Sequence, residues 1–256
     1  MLCASNLRNA VAAILVLCGL TSSPLLAGEV HVAVASNFAA PMGRIVDLFQ
    51  RETGHALSVS LGSSGKLYAQ IVGGAPFDVF LAADDEMPKR LAQEGLALGS
   101  SHFIYALGKL VLWSAQPNFV DAGGAVLRKG DYSKLAIADP KLAPYGMAAK
   151  ETMEKLAMWN AMQRKLVKGE NITQAYQFAV TENADLAFIA LSQVMHDGKV
   201  TQGSWWLVPD ELHKPIRQGA VMLSGAKDKV AAQAFLDFLK SKRAAAIIRS
   251  FGYELP

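Results

Sequence analysis

Residues 57–82 read Leu-Ser-Val-Ser-Leu-Gly-Ser-Ser-Gly-Lys-Leu-Tyr-Ala-Gln-Ile-Val-Gly-Gly-Ala-Pro-Phe-Asp-Val-Phe-Leu-Ala, and this stretch decides the fold. Leu57-Ser-Val-Ser60 is a short strand, Gly62-Ser63-Ser64-Gly65 a polar turn, Lys66 to Val72 a helix stopped at Gly73-Gly74, and Phe77 to Ala82 the next strand. Short strand-like runs alternating with helical-period runs mark parallel α/β layers, because each crossover helix carries the chain back to the same end of the sheet. The same unit precedes it. Val30-His-Val-Ala-Val-Ala35 alternates large and small residues as a strand, Ser36-Asn37 follow, and Pro41, Met42, Ile45, Leu48 and Phe49 recur at helical spacing before Gly54 closes the helix. Beyond the third strand, Asp84-Asp85 stand as a candidate cap for a short helix that ends near Gly95.

The later half repeats this logic. Leu135-Ala-Ile-Ala138 is a buried strand, Pro144-Tyr145-Gly146 a turn, and Ala149, Thr152, Met153 and Leu156 one face of the following helix. Gly169-Glu170-Asn171 leads into Ile172, Ala175, Tyr176 and Ala179, an i, i+3, i+4, i+7 stripe, and Leu186 to Ala190 is another strand. Gly108 to Trp113 and Trp206 to Asp210 flank this block as crossings between two α/β lobes. Val230 to Phe251 is helical, with Ala231, Phe235, Phe238 and Leu239 on its core face, and returns to the first lobe. The expected division is residues 28–107 for the first part of lobe 1, 108–209 for lobe 2, and 210–256 for the return to lobe 1.

The chain has 256 residues, 52% hydrophobic and 18% charged, with 25 Lys+Arg against 22 Asp+Glu. That balance is too neutral for a polyanion-binding surface, so nucleic acid is not an expected partner. The two cysteines, Cys3 and Cys18, both fall in the first twenty residues, so neither a disulfide framework nor a thiolate metal site lies further along. Residues 1–27 carry Arg8, no acid, the apolar run Val11 to Leu20 and the ending Ser22-Ser-Pro-Leu-Leu-Ala27. This reads as a secretory signal peptide cleaved after Ala27. Its apolar run is about ten residues, short of the roughly 20 that span a bilayer. Bulky Leu17 argues against lipoprotein processing at Cys18. A cysteine-free exported chain suits the bacterial periplasm.

Chemistry is to be sought at the turns. Helix starts that follow strands present unpaired N–H groups with partial positive charge, and each is a potential anion site. Ser36 and Asn37, then Ser63 and Ser64, add hydroxyl and amide donors beside those groups, and in a two-lobe fold the strand carboxyl ends converge on the cleft. The bland alternative is that Ser36, Ser64 and Asn171 are ordinary N-caps. Other motifs fail. A phosphate-binding P-loop needs glycine where Ser60 stands and Ser or Thr where Leu67 stands, and a serine-hydrolase elbow needs glycine where Lys66 stands. His31, His55, His102, His196 and His213 form no metal-binding pair. Asp84-Asp85-Glu86 is explained by a helix start, and Trp205-Trp206 by an aromatic pair in a core.

Several runs together carry a resemblance: Val32-Ala-Val-Ala-Ser36-Asn37-Phe; Gly62 through Asp84; Ala138-Asp-Pro-Lys-Leu-Ala-Pro-Tyr-Gly-Met-Ala-Ala-Lys-Glu151; Gly169-Glu-Asn-Ile172; and Ile248-Arg-Ser-Phe-Gly-Tyr253. Over essentially the whole exported chain the sequence is similar to the molybdate-binding proteins of bacterial ABC importers. The resemblance implies a two-lobed type II periplasmic binding protein, each lobe a mostly parallel α/β sheet flanked by helices. Such a protein is no enzyme and has no cofactor. It would be a monomer that closes on molybdate or tungstate and delivers it to a membrane permease, with molybdenum entering as the oxyanion rather than as a free cation. Carried over by position, Ser36 donates from hydroxyl and amide, Asn37 from its amide, Ser64 from hydroxyl and amide, and Tyr145 and Ile172 from backbone N–H. One branch of the family uses a tyrosine hydroxyl near position 190; here Ala190 stands there, which places the chain in the other branch. A donor-only site favours a fully deprotonated dianion and penalises hydrogen phosphate, whose proton would lack an acceptor. Alternatives are a carrier for sulfate, thiosulfate or phosphate, and a periplasmic hydrolase using Ser64.

Overall fold

The computed structural model describes residues 27–256, so the expected signal segment lies outside the described residues but for its last. The strands are β1 (Glu29–Ala35), β2 (Ala56–Gly62), β3 (Val79–Leu81), β4 (Phe103–Gly108), β5 (Leu110–Ser114), β6 (Leu135–Ala138), β7 (Leu166–Gly169), β8 (Leu186–Ala190), β9 (Met195–His196), β10 (Lys199–Val200), β11 (Ser204–Leu207) and β12 (Ile216–Met222). The helices are α1 (Ala39–Thr53), α2 (Ser64–Val72), α3 (Glu86–Gln93), α4 (Ala125–Lys129), α5 (Pro144–Lys155), α6 (Trp159–Met162), α7 (Ile172–Val180), α8 (Lys229–Leu239) and α9 (Lys242–Ser250).

Two five-stranded sheets form two lobes, in the orders β2-β1-β3-β12-β4 and β11-β5-β8-β6-β7. In the first, β1 pairs parallel with β2 and β3, while β12 runs against both β3 and β4. In the second, β6 pairs parallel with β7 and β8, while β5 runs against both β8 and β11. Each sheet therefore has one reversed strand, and in each it is the strand that has just arrived from the other lobe: β5 after β4, and β12 after β11. Among the described residues no helix is long and apolar enough to cross a membrane.

The alternation read in β1 is what builds the first lobe. Val30, Val32 and Val34 face Phe38, just ahead of α1, Met42, Ile45 and Phe49 of α1 and Phe235 and Leu239 of α8, while Ala33 faces Leu67, Ile71 and Leu91 on the opposite side. Large residues thus meet the helices that cover one face, and the small one admits α2 and α3 closely on the other. The apolar runs Leu135 to Ala138 and Leu186 to Ala190 are buried at every position, as central strands covered on both faces are.

Three sequence readings need correction. Pro144-Tyr145-Gly146 is not a turn but the first turn of α5, because proline at the first helical position lacks only an N–H that has no helical partner anyway. The two stretches read as crossings lie largely inside the second sheet: Leu110 to Trp113 belong to β5 and Trp206 and Leu207 to β11, so the chain passes between lobes only from Gly108 to Leu110 and again beyond Leu207. Trp205 is 37% exposed rather than core, since β11 is an edge strand that turns it outward, whereas Trp206 packs against the second lobe.

Candidate functional site

Ser36 and Asn37 follow β1 directly and open a short 3-10 turn, Ser36–Phe38, that runs into α1. Ser63 and Ser64 follow β2 and open α2, Ala83 follows β3, Tyr145 lies in the first turn of α5 beyond β6, and Ile172 begins α7 beyond β7. The strand carboxyl ends of both lobes face each other, so these starts converge. Ser36, Asn37, Ser64, Tyr145 and Ile172 all line one small cavity of about 10 Å³, together with Ala35, Gly62, Ser63, Ala83, Ala143 and Pro144. No charged side chain and no histidine lines it among the described residues. Its volume is far below the roughly 300 Å³ at which pockets for drug-sized ligands begin, so only a small guest suits it. A larger hollow of about 720 Å³ runs along the outside of β2 and α2, and shares only Gly62 with the cavity.

The N-cap reading separates the candidates. Asn171 is a true N-cap, its side chain accepting from the N–H groups of Thr173 and Gln174. Ser36 and Ser64 are not caps: both lie inside their helices, and the cap positions belong to Ala35 and Ser63. Ser64 Oγ accepts the Ala83 N–H at 2.9 Å, which holds its oxygen and leaves its own hydrogen for an acceptor. Asn37 differs from the sequence reading. Its side-chain amide donates both hydrogens inward, to Gln218 Oε1 and Tyr253 Oη at 2.9 Å each, so only its backbone N–H remains for a guest.

Behind the cavity this inward amide joins a buried network that the sequence did not reveal. Gln218 Oε1 also accepts from the Tyr105 hydroxyl at 2.9 Å, and its Nε2 donates to Tyr145 Oη at 3.2 Å. The Tyr253 hydroxyl lies 2.9 Å from both Asn37 O and Ser192 Oγ, and Ser192 donates to Asn37 O at 2.8 Å. Burial pushes the Tyr105 and Tyr145 hydroxyls well above their ordinary range and Tyr253 up to about 12, so all three keep their protons. Gln218 reaches this point from the irregularity in β12, where the pairing register with β4 shifts between Gln218 and Gly219. Gly108 makes room: a side chain there would meet Tyr145 Oη at 2.1 Å.

The lobes also touch directly. Gly65 N–H donates to Leu142 O at 2.9 Å, Thr173 Oγ1 to Ser36 O at 3.4 Å, and Arg44 pairs with Asp197 at 2.8 Å. Lys66 pairs with Glu170 across the mouth of the cleft. At the crossings, Lys109 reaches Asp210 at 2.8 Å and Glu254 at 3.1 Å; burial lowers its pKa, but these two carboxylates more than offset that and raise it. Asp84 stands one residue before the N-cap position of α3, which Asp85 holds; its Oδ1 accepts the Met87 N–H, while its buried Oδ2 has no partner. Burial pushes its carboxyl up to about 6 against the pull of the Met87 and Glu86 N–H groups. Neighbouring Asp85 pairs with His102 at 2.8 Å, and no group of three metal-ligating side chains occurs among the described residues.

A family model for bacterial extracellular solute-binding proteins matches residues 30–254. The chain belongs to this family. Among curated relatives, the molybdate-binding protein ModA of Azotobacter vinelandii is 52% identical over 93% of this chain and 94% of its own length, and that of Rhodobacter capsulatus is 51% identical over 97% and 96%. The solved periplasmic molybdate-binding protein of Azotobacter vinelandii superposes with a TM-score of 0.87 at 40% identity, covering 89% of this chain and all of the other. These relatives are binding proteins, and the two-lobed α/β fold of the family member described here is theirs.

Proposed function

We propose that the protein captures molybdate or tungstate in the cavity between its lobes and hands it to the permease of an ABC importer. The observation that carries this is the lining: helix starts from both lobes and hydroxyls from the first, at Ser36, Asn37, Ser64, Tyr145 and Ile172, around a small space with no ionic side chain. Oriented N–H groups and hydroxyls at helix starts stabilise a dianion without a counter-charge. They include no carboxylate or imidazole to take the proton of hydrogen phosphate, which is therefore penalised. Sulfate has the same charge pattern, and is rejected because a smaller tetrahedron cannot reach donors on both lobes at hydrogen-bond distance. The names of the two relatives at 52% and 51% identity support the same ligand.

In this reading Gly108 to Leu110 and the segment from Val208 to Ile216 serve as hinges between the lobes, and closure is the state the permease recognises. The protein works as a monomer in the periplasm after loss of residues 1–27. Ser64 does no covalent chemistry: the group on its oxygen is the Ala83 N–H, which cannot take up a proton as a general base would. Competition between molybdate, sulfate and phosphate for the purified protein tests the proposal. Binding that is equal for sulfate and molybdate would defeat it.

A further inference from the structure

Ser63 sits on the cavity wall immediately before α2, 97% buried, and its hydroxyl oxygen has no hydrogen-bond partner in the protein. It occupies the N-cap position of that helix, where a serine hydroxyl ordinarily accepts the N–H two or three residues on. Here it accepts none. Buried hydroxyls are rarely left unpaired, because their lost hydration is then uncompensated. The neighbours do not relieve it: Ser64 Oγ is taken by the Ala83 N–H, the Asn37 amide is turned inward to Gln218 and Tyr253, and no carboxylate or imidazole lines the cavity. The one remaining way to satisfy the Ser63 hydrogen is an acceptor that enters from outside.

We propose that Ser63 is a direct hydrogen-bond donor to the bound oxyanion, in addition to the donors at Ser36, Asn37, Ser64, Tyr145 and Ile172. This deepens the reading given under Proposed function and rests on it. A capping bond to the helix would stabilise the empty protein, whereas an unpaired hydroxyl on the wall contributes only once an anion is present. Two adjacent serines at the start of α2 then divide the work: Ser64 is held by Ala83 in the empty protein, and Ser63 is held by the guest.

The test is calorimetric titration with sodium molybdate of the wild-type protein, Ser63→Ala and Ser63→Gly, with thermal unfolding of each in the absence of ligand. Glycine is tolerated at N-cap positions, so the second variant guards against a packing effect of the first. Both variants should bind molybdate about ten- to hundredfold more weakly, the range for a lost hydrogen bond to a charged group, with the ligand-free Tm unchanged or raised. Wild-type affinity in both variants overturns the proposal and leaves the oxyanion reading standing, with Ser63 paired to a buried water. A loss of affinity matched by a fall in ligand-free Tm also overturns it, because Ser63 would then be structural. No binding of molybdate by the wild-type protein defeats the oxyanion reading itself.

Discussion

Gly65→Ala probes closure at the point where the lobes meet through backbone alone. The Gly65 N–H donates to Leu142 O at 2.9 Å, and a Cβ on residue 65 would stand 3.0 Å from that oxygen and 3.2 Å from Leu142 Cα. Neither atom can rotate aside, so the lobes must part locally by a few tenths of an ångström. Stretching that hydrogen bond forfeits most of its net worth of about 1 kcal/mol, and the crowding adds a similar amount. The closed, liganded state is thus disfavoured by about 1–2 kcal/mol, or about five- to thirtyfold in Kd, mainly through faster dissociation. The empty protein responds with the opposite sign. Residue 65 lies in the first turn of α2 without a positive φ, so alanine there restricts the unfolded chain and stabilises by about 0.4–1 kcal/mol. Stopped-flow dissociation of molybdate and thermal unfolding with and without ligand measure both effects. Unchanged dissociation, or weakened binding with a lowered ligand-free Tm, would refute the assignment of Gly65 to closure.

Ser64→Ala should weaken molybdate binding at least tenfold by calorimetry, and should cost about 1 kcal/mol of stability because the Ala83 N–H loses its acceptor. Tyr145→Phe keeps the backbone N–H at the cavity but strands the Gln218 Nε2 hydrogen; urea unfolding should show a loss of about 1–3 kcal/mol. Asp84 carries a pH signature. Its folded pKa of about 6 lies above the ordinary 3.8, so the folded chain holds the proton more tightly and stability falls as pH rises from about 4 to 6, by up to about 3 kcal/mol. Urea midpoints for Asp84→Asn across pH 4–8 should lack that slope and exceed wild type at pH 7; an identical slope would count against the buried carboxyl as its source.

Local pattern revealed the frame because the frame is local. Leu135 to Ala138 and Leu186 to Ala190 match β6 and β8 to the residue, since a short apolar run buried on both faces has few other homes. Ser36 and Ser64 were legible as residues of the cavity wall for a related reason: a small polar residue after a strand marks a helix start, and the helix starts of the two lobes converge there. Pro144 misled because proline serves turns and first helical turns equally well. Trp205 misled because pairing at a sheet edge, not residue type, decides which face is wet. The inward turn of Asn37 was beyond reach. It depends on Gln218 and Tyr253, 181 and 216 residues further along, brought together only when β12 and the chain end settle beside β4. Ser63 carried the same local signal as Ser64, and only the hydrogen bond to Ala83 tells the two hydroxyls apart.

Parallel calorimetric titrations of the purified protein with molybdate, tungstate and sulfate address the central claim most directly. The account predicts one site per chain, similar affinities for the nearly isosteric molybdate and tungstate, and far weaker binding of sulfate. Equal affinity for sulfate, or no heat on adding molybdate, would contradict it.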